Sequence, residues 1–172
     1  MSITAVLAIT AVASGAARSH RNGMPATHDV HPATVTAGGC TVPKANYVGT
    51  DAAASTSSTT YVTVPSMTRT FKIAGTTKTC VLVTFSAMGW APAGELVDIE
   101  AVLDGTKVAS PGEVQLTGDT DENSDGKWAR SHAMQFVFSN VSPGSHTVVV
   151  LYRSFFGGSV TLNKSSMIVL HK

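Results

Sequence analysis

An all-β chain, folded as an antiparallel β-sandwich of the jelly-roll kind with eight to ten strands, is what three features of the sequence predict. Thr, Ser, Val, Ala and Gly dominate while charged residues make up only 13%, the balance of a β-rich extracellular module and not of a helical protein. From about residue 60 onward apolar and polar residues alternate with a period of two, the signature of strands with one buried face. Turn signals built on Gly, Pro, Asn and Asp separate these runs.

Residues 60–64, 68–73 and 78–87 read as Thr/Val-rich strands broken by Pro65-Ser66 and by Gly75-Thr76. Residues 96–103 put Val97, Ile99, Ala101 and Leu103 on one face and Asp98 and Glu100 on the other, a half-buried strand with a wet side. That strand ends at Asp104-Gly105, a hairpin dipeptide. Strands over residues 114–117, 129–138, 145–154, 159–162 and 166–171 complete the set, with residues 140–144 and Gly157-Gly158 as turns. Past the leader, no stretch long enough for a substantial helix carries a 3.6-residue apolar pattern.

Two segments precede the strands. Residues 1–17 hold an apolar run from Ile3 to Ala13 followed by Ser14-Gly15-Ala16-Ala17, small residues that a signal peptidase accepts, so a signal peptide and a secreted or cell-surface location are expected. The run is too short to span a bilayer, and no membrane span is expected downstream. Residues 18–59 are expected to form a flexible N-terminal arm. They carry His20, His28, His31, Pro25 and Pro32 without periodicity, and end in the low-complexity stretch DAAASTSSTT of residues 51–60, which reads as a loop or extended edge. Residues 60–172 then form one sandwich domain, a length able to bury an ordinary core.

Charge and cysteine usage narrow the function classes. A formal net charge of +1 with no Lys/Arg block supports neither a nucleic-acid partner nor an anionic membrane surface. Cys40 and Cys80 are too far apart for CxxC redox or zinc-finger chemistry. In an exported chain they are expected to form a disulfide tying the arm to a core strand, worth a few kcal/mol through loop closure.

The sharpest local motif is D-T-D-E-N-S-D-G at residues 119–126. Asp119, Asp121, Asn123 and Asp125 present oxygens at alternate positions, and Gly126 permits the sharp turn of a calcium loop. Counted from Asp121, the twelfth position of such a loop is His132 and not a bidentate Glu, so the competing reading is a polar turn in which Asp and Asn cap backbone amides. Calcium is the one cofactor the sequence offers.

Trp90, Trp128, Phe155 and Phe156 all lie near turns, where aromatics either cap the core or form a platform for a ligand. Catalysis has less support. There is no G-x-S-x-G elbow, His132 and His146 sit in strands as packed or edge residues, and Asp98 and Glu100 on one strand face read as solvated. The chain is therefore not expected to be an enzyme, and a hydrolase is the disfavoured alternative.

A resemblance adds to this reading. Cys80-Val-Leu-Val-Thr-Phe-Ser-Ala87, Val102-Leu-Asp-Gly105, Val141-Ser-Pro-Gly-Ser-His-Thr-Val148, Ser159-Val-Thr-Leu162 and Met167-Ile-Val-Leu170 together resemble a class of secreted bacterial β-sandwich proteins. Those proteins share their pattern with the complement-globular-head and tumour-necrosis-factor jelly rolls. The resemblance covers about two thirds of the chain and implies a jelly roll that trimerises, presents loops to a partner or heads a fibre; residues 1–59 carry no collagen-like or coiled-coil repeat of the kind that precedes such heads. The expected function is a non-catalytic extracellular or cell-surface module that recognises a glycan or protein through its loops. The alternative is a self-assembling homo-oligomer or filament subunit whose arm adds a strand to a neighbour's sheet.

If the acidic motif holds calcium, the melting temperature rises on adding millimolar calcium and falls with chelator, because a ligand of the native state alone stabilises by mass action. A melting curve indifferent to both would remove calcium from the reading.

Overall fold

The computed structural model describes residues 42–118 and 130–172. Nine strands are seen among them: β1 (Lys44–Thr50), β2 (Ala54–Thr56), β3 (Val62–Ile73), β4 (Thr79–Trp90), β5 (Leu96–Leu103), β6 (Lys107–Gly118), β7 (Arg130–Val141), β8 (Gly144–Ser154) and β9 (Val160–His171). All pairings are antiparallel, in the order β1-β9-β4-β7-β6-β5-β8-β3, with β2 also on β9. β6 and β7 meet at a single pairing, Ser110 with Val137, and the end strands β1 and β3 approach each other, so the sheet curls nearly into a barrel. No helix among the described residues is long and apolar enough to cross a membrane.

The period of two does what it predicts. On β4, Val81, Val83, Phe85 and Ala87 point inward while Leu82, Thr84, Ser86 and Met88 are half-buried on the outside. Phe136 and Phe138 of β7, Val148, Val150 and Tyr152 of β8, and Met167 and Val169 of β9 fill the same interior. Asp104 and Gly105 both take positive φ, 53° and 73°, as the central pair of a primed turn requires, within the three-residue connection of residues 104–106 between β5 and β6.

Several elements differ from expectation. Pro65-Ser66 is no turn: β3 runs through it with a register shift between Thr63 and Thr68, and Ser66 takes φ 67°, so the extra residues are absorbed as a bulge. The two closing runs are likewise one strand, β9, with Lys164 at positive φ. Residues 44–50 and 54–56, assigned to the flexible arm, form β1 and β2 against β9. The second face of β5 is largely covered and not wet: Asp98 is buried at 3% exposure and Val102 at 8%, with Glu100 half-buried between them, and Arg153 of β8 lies against Asp98.

Because every neighbour is antiparallel, the connections sort to two ends. Trp90 and residues 51–53, 57–61, 91–95 and 155–159 lie at one, termed the loop end; residues 74–78, 104–106 and 142–143 lie at the other, the turn end.

Phe136 is fully buried in this interior. Phe136→Ala should lower unfolding free energy by about 3–5 kcal/mol in urea titrations, a large share of the roughly 5–15 kcal/mol typical of a domain. A loss under about 1 kcal/mol would show that the ring is not packed as described.

Candidate functional site

The loop end is organised by Glu95, whose carboxylate is buried at 3% exposure. Residues 92–95 turn tightly, with the Glu95 amide donating to the Pro92 carbonyl at 3.0 Å, and this folds the side chain back beneath residues 155–158. Its Oε1 accepts from the amides of Leu96 at 3.0 Å and Phe156 at 2.7 Å, and its Oε2 from the amide of Gly158 at 2.5 Å.

The remaining amides of that loop are also accounted for. Ser154 donates to the Ser58 carbonyl at 2.9 Å, Phe155 to the Leu96 carbonyl at 3.1 Å, and Gly157 to Ser154 Oγ at 2.9 Å. Every backbone N–H from residue 154 to 158 therefore has an acceptor, which fixes the loop's path. Gly158 is required by close approach: a Cβ there would lie 2.7 Å from Glu95 Oε2.

What this loop presents is apolar. Phe155 and Phe156 are 44% and 66% exposed and meet edge to face with centroids 4.7 Å apart. Arg153, at the end of β8, lays its guanidinium over the rings of Tyr61 at 5.0 Å and Phe155 at 5.3 Å. The same guanidinium binds Asp98 Oδ2 through Nε at 3.2 Å and Glu113 Oε2 through Nη2 at 2.9 Å, while Tyr61 Oη donates to Glu113 Oε2 at 2.5 Å. Aromatic tip and polar cluster are thus joined through one side chain.

The two buried carboxylates respond to burial differently. Burial pushes the Glu95 carboxyl up, but the amides of Phe156, Leu96 and Gly158 and the Ser154 hydroxyl outweigh it and hold the group below its ordinary value. Burial also pushes Asp98 up, and the Glu113 charge adds to it faster than Arg153 offsets it, so Asp98 sits above its ordinary range. Glu100 is raised by burial and by Glu113 in the same way. Burial, with the hydrogen bond to Glu113, raises the Tyr61 hydroxyl strongly.

Of the residues singled out from sequence, Phe155, Phe156 and Trp90 come to this end; Trp90 is half-buried, opposite Thr161 of β9. Asp119, Asp121, Asn123, Asp125, Trp128 and Cys40 lie outside the described residues, as does the leader of residues 1–17. Cys80 is buried on β4. Among the described residues no group of three or more His, Cys, Asp or Glu is placed to hold a metal. His146 is a turn-end residue whose ring nitrogens meet Asp104 Oδ2 at 2.7 Å and the Ser142 carbonyl at 2.8 Å. Sequence reading missed Glu95, Tyr61 and Arg153; the one signal for the first was Gly157-Gly158, a place where something must approach the backbone closely.

No protein-family model and no curated protein sequence matches the chain. Solved structures with a partial likeness include a family GH115 4-O-methyl-α-glucuronidase with specificity for decorated arabinogalactans, at 16% identity and TM-score 0.42 over 76% of this chain. This chain spans only 16% of that enzyme's length. The C-terminal domain of EclA, a sugar-binding protein, has 10% identity and TM-score 0.41, covering 86% of this chain and 89% of its own. The Cry4Aa mosquito-larvicidal toxin of Bacillus thuringiensis has 8% identity and TM-score 0.36, covering 61% of this chain and 18% of the toxin.

A carboxyl held below its ordinary value stabilises the fold above that value, about 4.5 for Glu95, and the contribution is lost as pH falls through the lowered folded value. Glu95→Met, which removes both acceptor oxygens, should therefore cost about 1–3 kcal/mol at neutral pH, the cost of buried amides left without an acceptor. It should also flatten the acid limb of a melting-temperature profile and speed hydrogen exchange at Phe156 and Gly158. Unchanged exchange at both amides would sink the role given to Glu95.

Proposed function

We propose that this chain is a non-catalytic binding module that takes a glycan on the aromatic tip of its loop end. The observation that carries the reading is the exposed Phe155–Phe156 pair on a loop whose amides are all satisfied, three of the bonds at the loop end ending on Glu95. An exposed aromatic pair costs solubility and is retained where it meets a partner. Because the loop is already ordered, little conformational entropy remains to be lost on binding. The C–H faces of a sugar ring stack on such rings, and the neighbouring Tyr61, Glu113 and Arg153 offer donors and acceptors to hydroxyl groups.

Other features favour this reading over its competitors. The strands fall into two four-strand arrays, β1-β9-β4-β7 and β3-β8-β5-β6, an arrangement that supports a jelly roll. We read the chain as exported, with a Cys40–Cys80 bridge and calcium in the loop of residues 119–126 as parts of the same proposal. β1 and β2 pair with the chain's own β9, which favours an internal edge over an arm donated to a neighbour. Asp98, the buried member of the carboxylate pair considered for acid–base chemistry, is committed to Arg153, which favours binding over hydrolysis.

Affinity electrophoresis through a panel of neutral polysaccharides tests the reading. Wild-type protein should be retarded by at least one of them, and Phe156→Ala should weaken that retardation about tenfold, equivalent to about 1.4 kcal/mol, with an unchanged circular dichroism spectrum. Absence of retardation by every polysaccharide, or undiminished binding by Phe156→Ala, would overturn it.

A further inference from the structure

We infer that the turn end is a second binding surface, independent of the aromatic tip, and that its ligand is a linear anionic polysaccharide. The near-neutral sequence conceals a separation of charge that the strand order reveals. Lys44 opens β1 opposite His171, Lys172 follows β9, Lys78 immediately precedes β4, and Lys72 is the penultimate residue of β3. These residues are dispersed along the sequence, yet β3 and β1 approach each other and β1, β9 and β4 are consecutive neighbours. Four lysines therefore stand on four successive strand ends. With about 4.8 Å between paired strands, the lysines of β1, β9 and β4 span roughly 10 Å, and Lys72 extends the arc across the unpaired approach of β3 to β1.

The amines of this arc are available. Lys44, Lys72, Lys78 and Lys172 are all exposed, and none is ion-paired to a carboxylate among the described residues. The one described side-chain carboxylate at this end, Asp104, is engaged by His146 at 2.7 Å and by the Thr147 amide at 2.8 Å. Lys107, farther round the rim, is occupied by the Ser139 carbonyl.

The layout selects the ligand class. Four separate amines on flexible stems, spread along an arc and not converging on a pocket, suit a chain of repeated anions better than a single one. Binding then gains from release of the polymer's counterions, a contribution that falls steeply with salt. The intervening turns, Ala-Gly-Thr-Thr at residues 74–77, Asp-Gly-Thr at 104–106 and Ser-Pro at 142–143, carry no aromatic to stack on a base or to anchor in a bilayer. An anionic polysaccharide asks for neither, and it is the polyanion that meets a chain read, as proposed above, as exported.

Dextran sulfate, with neutral dextran as control, tests this on the full chain by titration at several salt concentrations. Dextran sulfate should bind at low salt and dextran should not. Lys78→Glu should lower the slope of log affinity against log salt by about one or more, and the triple variant K72E/K78E/K172E should abolish binding. Lys164→Glu makes the same charge change on β9 away from the turn end and should leave the slope as in wild type. No binding to dextran sulfate at low salt would overturn the proposal. So would an equal loss with Lys164→Glu, or binding confined to nucleic acid or to anionic vesicles. Phe156→Ala separates the two surfaces: it should leave dextran sulfate binding intact whether or not the tip binds neutral glycan.

Discussion

The arrangement of the loop end depends on one buried carboxylate. Glu95 is withdrawn from water, which by itself is costly for an ionised group. The cost is offset because its two oxygens take three backbone amides and a serine hydroxyl. Leu96 opens β5 while Phe156 and Gly158 lie in the loop leaving β8, so the side chain carries the β5–β8 association past its last backbone bond, Phe155 to Leu96. Without it the amides of Phe156 and Gly158 lose their acceptors beside a group they exclude from solvent, and the aromatic pair loses its fixed platform. The glycine at 158 follows from the same contact, since any side chain there would enter the space the carboxylate fills.

The second constraint is topological. In an all-antiparallel sheet each connection returns to the end where its strand stopped, so alternate connections accumulate at opposite ends. Residues far apart in sequence are thereby gathered: Tyr61, Glu95, Trp90 and Phe155 toward one end, and Lys44, Lys72, Lys78 and Lys172 at the other. A net charge near zero describes neither end. Composition alone therefore argues against a polyanion partner while the strand order argues for one.

Much of the fold is legible in the sequence because period-two alternation and turn chemistry are local. β5 and the bounds of β8 within one residue follow from them, as does the Asp104-Gly105 turn. The failures have a common cause in long-range pairing. Pro65-Ser66 looks like a turn, but β8 continues past it and holds both halves of β3 in one ladder, leaving a bulge. Residues 44–56 hold only two large apolar residues, the adjacent Tyr47 and Val48, and so no period of two; they become strands because β9 offers them an edge. At the loop end Phe155 and Phe156 were readable as aromatics beside a turn. Glu95 was not, because nothing near it in sequence announces that its partners lie some sixty residues on.

Asp98 shows why a buried acid is not one kind of object. It lies three residues beyond Glu95 and is equally buried, yet its carboxyl is pushed up while Glu95 is held down. The difference is in the partners. Neutral amide dipoles fixed by the backbone favour the charged form of Glu95 without adding a competing charge. Asp98 instead shares one guanidinium with Glu113, with Glu100 on the same strand face, so three carboxylates face a single cation. A buried pair of that kind is weak evidence for stability. What it does supply is position: Arg153 is gripped from two sides and held over Tyr61 and Phe155, which places a cation and a hydroxyl beside the aromatic tip. Glu95 sets where the rings stand, and the Asp98–Arg153–Glu113 cluster sets what stands next to them.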